Sequence, residues 1–229
     1  MSKRELIKRY LLLIIGLFVM AMGISLMVKA KLGTSPISST PYVFSMKYTA
    51  ISLGTFSFIW NMILILGQLI ILRKQFKLYQ IIQVPLSVLF GIFIDIATDM
   101  IGWINSQNYF VSLFVLILGC IVLALGVSFT VIADVIMNSG EAFVKAITIR
   151  NGKNFGDMKV AFDVSLVILA MIGSFIFFGE IRGVREGTVV AAIISGFIIK
   201  YFNKVLKPRI DKFLIDKDKI NCDIKNCKC

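Results

Sequence analysis

Apolar residues in this chain gather into long uninterrupted runs. Charge-free stretches cover residues 10–28, 53–72, 78–94 and 109–133, each close to the ~20 residues that a helix needs to cross a bilayer core. Two weaker ones follow at 164–179 and 187–199. The pattern predicts an all-α polytopic membrane protein with about six transmembrane helices. Basic residues precede the first run at Lys3, Arg4, Lys8 and Arg9, as in a signal peptide. The segment Met27-Val28-Lys29-Ala30 offers no small-residue cleavage site, so the run reads as a retained span.

Between the first two runs the sequence breaks at Gly33-Thr34-Ser35-Pro36-Ile37-Ser38-Ser39-Thr40-Pro41. Ser35 suits an N-cap and Pro36 the first helical position. A full crossing here would place Arg73, Lys74 and Lys77 outside the cell. The segment 33–48 is therefore expected to enter the membrane and leave on the same side, as a re-entrant or half-length helix.

Composition agrees: 58% of residues are hydrophobic, 17% charged, and the mean hydropathy is +0.87, a balance unsuited to a water-soluble domain. The net charge of +12 raises the possibility of nucleic acid. The basic residues, however, sit in short segments between spans rather than on one face, and positive-inside topology accounts for them.

With both termini in the cytoplasm, Arg73, Lys74 and Lys77, then Lys145, Arg150, Lys153 and Lys159, then the basic stretch 200–228 fall inside. Segments 103–109 and 179–186 fall outside. Lys29, Lys31 and Lys47 conflict with this arrangement. The expected organisation is a cytoplasmic segment 1–9, one membrane domain 10–205 and a basic cytoplasmic tail 206–229.

The membrane domain shows internal similarity. Gly16, Ala21, Gly23 and Ser25 recur as Gly119, Ala124, Gly126 and Ser128, all at a shift of 103. Gly54 and Asn61 match Gly156 and Asp163, and Gly91 matches Gly196. Halves of about 10–103 and 109–205, each with three spans, would be inverted relative to one another. The alternative is shared composition alone, since small residues are common wherever membrane helices touch. Inverted repeats with a broken helix in each half are a recurrent plan of secondary transporters.

If the helix after Ser35 starts within the membrane, its free N–H groups and the hydroxyls of Thr34, Ser35, Ser38 and Ser39 must face a cavity. Such a helix start favours an anion. The matching region of the second half reads Asp134 to Glu141, where Asn138 can cap and the two carboxylates flank the turn. A capped amphipathic helix at the interface would need the same residues.

Asn61 and Asp163 fall at matching depths and could bind a cation, a proton or the substrate. Alternatively Asp163 pairs with Lys159 and Asn61 is interhelical glue beside Trp60. Asp95 and Asp99, four apart on one helical face, either have a functional role or reach the outer headgroups or Lys29 and Lys31. The expected substrate-binding residues are Thr34, Ser35, Ser38, Asn61, Asn138 and Asp163. Asp134, Glu141 and Asp163 are the expected ion-coupling residues.

No histidine is present, and no hydrolase, zinc-protease or phosphate-loop pattern occurs. No catalytic residue, cofactor or metal is expected. Cys222, Cys227 and Cys229 could hold a soft metal at the chain end, although a solvated tail in a reducing compartment is the simpler reading.

The run Lys29-Ala30-Lys31-Leu32-Gly33-Thr34-Ser35-Pro36, with Leu53-Gly54-Thr55 beyond it, resembles the signature region of the YczE/YitT-like family of bacterial membrane proteins. Lys31 stands where that family commonly has Gly, and Ile37-Ser38 where many members have Trp-Asp, so a role for that acid does not transfer. The resemblance implies a bacterial inner-membrane protein and names no substrate.

The expected function is a small-solute transporter or permease for an anion or zwitterion. The rivals are a non-transporting scaffold or regulator, and a substrate-capture subunit of a multi-component transporter. The lipid bilayer is the expected partner, together with an unidentified small ligand and either other copies or other membrane proteins.

Overall fold

The computed structural model describes residues 3–73, 78–103, 108–152 and 155–214. Lys74, Lys77, Lys153 and the tail cysteines Cys222, Cys227 and Cys229 lie outside the described residues. All regular structure among the described residues is helical: α1 (Lys3–Ala30), α2 (Pro36–Lys47), α3 (Leu53–Leu72), a 3-10 segment (Leu78–Ile82), α4 (Gln83–Met100), α5 (Tyr109–Ala133), α6 (Ser139–Asn151), α7 (Phe155–Phe178) and α8 (Glu186–Leu214). Six of these, all but the 3-10 segment and the short α2 and α6, are long and apolar enough to cross a membrane. The chain is an all-α multi-pass membrane protein.

Helices overrun the apolar stretches that announce them. α1 begins at Lys3, well before residue 10, and α7 begins at Phe155 rather than near 164. Asp157, Lys159 and Asp163 interrupt the hydropathy of α7 over its first turns. A Lys159–Asp163 ion pair of 2.8 Å, spaced one turn apart, keeps the helix continuous across that polar stretch. α8 likewise runs on to Leu214, through the position where the tail was expected to begin.

The centre of the bundle is the packing of α1 on α5. A Cβ added at Gly23 would lie 2.5 Å from the Leu123 N, and one at Gly126 would lie 2.5 Å from the Met20 N. Gly16 meets Gly126 while Gly119 meets Gly23 and Met27, so the two helices run antiparallel. Only glycine allows backbones to come so close, which in lipid is a main source of helix association. Ala21, Met27, Leu116, Cys120 and Ala124 are fully buried along this seam.

The outer surface follows the opposite rule. On α3, Ile59, Ile63, Leu66 and Ile70 form an exposed stripe at helical spacing, and Val164, Ile168, Ile172 and Phe175 do the same on α7. Such a stripe is stable only where the solvent is hydrocarbon.

Helix boundaries recur along the chain. Ala30 and Ala133 end α1 and α5, and Pro36 and Ser139 start the two short helices, each at a shift of 103. Lys31 and Asp134, again 103 apart, both follow their helix with positive φ, 57° and 47°. α2 packs on α7 and α6 on α3, so each short helix leans against a long helix of the other half. The exception is the last pair: α3 packs closely on α4, with no comparable packing of α7 on α8 among the described residues.

Candidate functional site

The short helices α2 and α6 are held start to start. Ile37 in the first turn of α2 lies against Gly140 in the first turn of α6, where an added Cβ would be 2.0 Å from the Ile37 Cδ1. A cavity of about 280 Å³ opens at this junction. Ser35, Ser38 and Pro41 reach it from α2 and its N-cap, Trp60 and Asn61 from α3, and Asn138 and Glu141 from the start of α6. Lys159 and Asp163 reach it from α7, Ser195 and Gly196 from α8. Apolar walls come from Met20 and Ile24 of α1 and Leu123 and Val127 of α5.

Each polar group has a local reason for its position. Ser35 occupies the N-cap of α2, with Pro36 as the first helical residue, but its side chain does not cap a backbone N–H. The Ser35 Oγ donates to the Ser38 Oγ at 3.0 Å, and the Ser39 Oγ donates to the Ser35 carbonyl at 2.9 Å. The first N–H groups of α2 therefore keep no side-chain cap from Ser35. At α6 the Asn138 Oδ1 accepts from the Ser139 N at 2.9 Å. The Ser139 Oγ donates to the Asn61 Oδ1 at 2.6 Å, tying α6 to α3. Deeper in the same contact, the Gln68 Nε2 donates to the Ser139 carbonyl and to the Gln83 Oε1.

Charge enters from one side. The Lys159 Nζ is 2.8 Å from the Asp163 Oδ1, with both side chains a quarter to a third exposed. Glu141 lines the cavity beside this pair and is only half-buried. The indole Nε1 of Trp60, a residue of the cavity wall, is buried and has no hydrogen-bond partner among the described residues.

Six of the eight expected site residues thus meet in one cavity: Ser35, Ser38, Asn61, Asn138, Asp163 and Glu141. Thr34 stands apart, fully buried and bonded to the Ser39 Oγ at 3.3 Å. Asp134 is also elsewhere, exposed at the left-handed C-cap of α5. Lys159, Trp60 and Ser195 join the lining, and of these only Lys159 had a readable signal, its i,i+4 spacing to Asp163.

Asp95 has a structural task that its spacing did not announce. Its carboxylate accepts from the Ser52 Oγ at 2.7 Å and the Gly54 N at 2.8 Å, so it caps the start of α3. Asp99 is exposed.

Comparison with known proteins places this architecture. The profile of a family of unknown function, DUF6198, matches residues 7–204, which takes in α2 to α7, most of α1 and α8, and every residue of the cavity lining. The chain belongs to that family. It is also 25% identical over 200 residues to the uncharacterized membrane protein YczE of Bacillus subtilis (strain 168), covering 87% of each chain. The YczE-like resemblance carried by residues 29–36 and 53–55 is thereby extended over nearly the whole membrane domain of this DUF6198 member. No solved structure matches.

Proposed function

We propose that this chain is a small-solute permease of a bacterial plasma membrane, with the cavity between the starts of α2 and α6 as its binding site. The observation that carries the reading is the cavity itself. About 280 Å³ lined by hydroxyls, amides, an ion pair and a further carboxylate, enclosed by apolar helices, suits a compact polar solute. Transporters of inverted-repeat design place their sites where discontinuous helices meet near the midplane. The antiparallel α1–α5 seam, in which Gly16 on Gly126 mirrors Gly119 on Gly23, supports an inverted repeat here.

Charge bookkeeping favours a zwitterion. Glu141 and Asp163 bring two negative charges and Lys159 one positive charge, and each helix start adds about half a positive charge. The site is then close to neutral, with its carboxylates, Glu141 in the first turn of α6 and Asp163 on α7, on one side and the start of α2, which has no acidic residue in its first turn, on the other. A ligand with an amine at one end and an acidic group at the other matches that polarity.

Both termini are placed in the cytoplasm in this reading. A thermal-shift screen of the detergent-solubilised protein against metabolite pools tests it, and uptake by the purified protein in liposomes separates a permease from a scaffold or a capture subunit. Ser35→Ala should weaken ligand binding about two- to twelvefold, the range of one neutral hydrogen bond, without loss of expression. Asp163→Asn should alter the pH or sodium dependence of binding. If both variants bind every ligand found as the parent does, the site lies elsewhere.

A further inference from the structure

The two halves differ most at one matched place, the seam between their last two helices. In the first half this seam is shut. A Cβ at Gly54 would lie 2.1 Å from the Gly91 carbonyl oxygen, and one at Gly91 would lie 2.8 Å from the Gly54 oxygen. Asp95, one turn beyond Gly91, fastens the seam by accepting from the Ser52 hydroxyl and the Gly54 N.

In the second half the matched seam is open. Among the described residues, Gly156 and Gly196 each have nothing within 4 Å of an added Cβ, and Gly196 lines the cavity. A helical glycine with open space above it gains nothing from lacking a side chain and costs helix stability. Its shut counterpart shows what such a glycine is for. The residue one turn beyond Gly196, matching Asp95, is Lys200, and the residue after Gly156 is Asp157. Both are exposed, and neither has a partner among the described residues.

We infer that α7 and α8 form a gate which closes by seating Gly196 on Gly156 and pairing Lys200 with Asp157. In the conformation described this gate is open and the α3–α4 gate is shut. Cavity access is therefore from the end of the molecule that carries the starts of α1 and α7. The cavity lining agrees: it includes Lys159 and Val160 near the start of α7, and Gly196 and Ile199 well along α8, but nothing from the far end of α7. That far end is packed shut. Val43, Ala170 and Val184 form a buried cluster there, and the Gly187 N donates to the Leu32 carbonyl at 3.0 Å. The inference rests on reading the cavity as a substrate path, and it supplies the conformational change that such a path requires.

The test uses the full chain in native membranes, with Cys120, Cys222, Cys227 and Cys229 replaced by Ser. Two cysteine pairs are compared under mild oxidation: Ser52→Cys with Asp95→Cys across the shut seam, and Asp157→Cys with Lys200→Cys across the open one. Both should cross-link, the second only in part. Cross-linking the second should protect a cysteine at Ser195 from a maleimide reagent. A separate arm leaves Asp157 and Lys200 free of cysteine. There Lys200→Asp should speed maleimide labelling at Ser195→Cys by roughly two- to fivefold, the span of an exposed ion pair. Adding Asp157→Lys should reverse the gain.

If the first pair cross-links and the second never does, or if the charge reversals leave labelling unchanged, the gate is rejected. That result would leave ligand binding to the cavity intact, so it is distinguishable from failure of the permease reading. The latter would show as normal gating with no ligand found.

Discussion

At the residue scale, backbone geometry explains a departure from the family's motif. Lys31 follows α1 with φ of 57°, a left-handed conformation that costs a residue with a Cβ about 1–2 kcal/mol. The YczE/YitT-like pattern commonly has Gly at this position, and Gly bears no such cost. Part of the gain returns as entropy of the unfolded chain, so Lys31→Gly is expected to raise stability by about 0.5–1 kcal/mol. Thermal unfolding in detergent checks this, and a lower midpoint for the glycine variant would contradict it.

The α1–α5 glycines behave in the other direction. A Cβ at Gly23 meets the Leu123 backbone at 2.5 Å, and overpacking of that kind typically costs about 1–3 kcal/mol. Gly23→Ala should therefore lower the unfolding midpoint, while Gly156→Ala, with open space above it, should not. Equal effects would mean that α1 and α5 are not in close contact. The small-residue pattern at residues 16–25 and 119–128 made this seam legible in the sequence. It did not reveal that the two stripes pack against each other, because spacing along one helix carries no information about its neighbour.

At the scale of elements, the short helices are the instructive case. Turn residues followed by Pro36, and Asn138 before a new helical run, marked both starts correctly. The contacts that fix them come from far along the chain and left no local trace: Ser139 to Asn61, Gln68 to the Ser139 carbonyl, Ile37 to Gly140. Ser139→Ala removes the donor from Asn61, whose side chain is 5% exposed. A buried acceptor left unpaired costs about 1–3 kcal/mol. The expected result is a drop of that size, with faster hydrogen exchange confined to the first turn of α6. Uniformly faster exchange would instead point to a global defect. Long helices were legible as lipid-crossing runs but not in their full length, because hydropathy records the hydrocarbon layer and stops where charged residues such as Asp163 and Lys159 are accommodated by a cavity and by each other.

At the scale of the whole molecule, the distribution of charge sets orientation. The antiparallel α1–α5 seam puts the start of α1 beside the end of α5, where the Arg9 guanidinium donates to the Ala133 carbonyl at 3.2 Å. The Arg150 guanidinium reaches the Ile71 carbonyl at 3.2 Å, which brings the ends of α3 and α6 to a common level. That end of the molecule carries Arg4, Lys8, Arg9, Arg73, Arg150 and the basic last turns of α8. The opposite end holds Lys47, whose Nζ lies 3.5 Å from the Phe177 carbonyl, together with the mutually paired Glu180 and Arg182. Lys29, Lys31 and Lys47 are a minority there, and positive-inside bias is a matter of relative excess. The basic end is therefore expected in the cytoplasm. Residues 75 and 106 lie outside the described residues; among the described ones, α3 finishes at the basic end and α4 at the other. A cysteine at 106 should react with an impermeant maleimide added to intact cells, and one at 75 should react only after permeabilisation. The reverse result would turn the molecule over in the membrane and make the open side of the cavity face outward, leaving the fold and the gate geometry as they are.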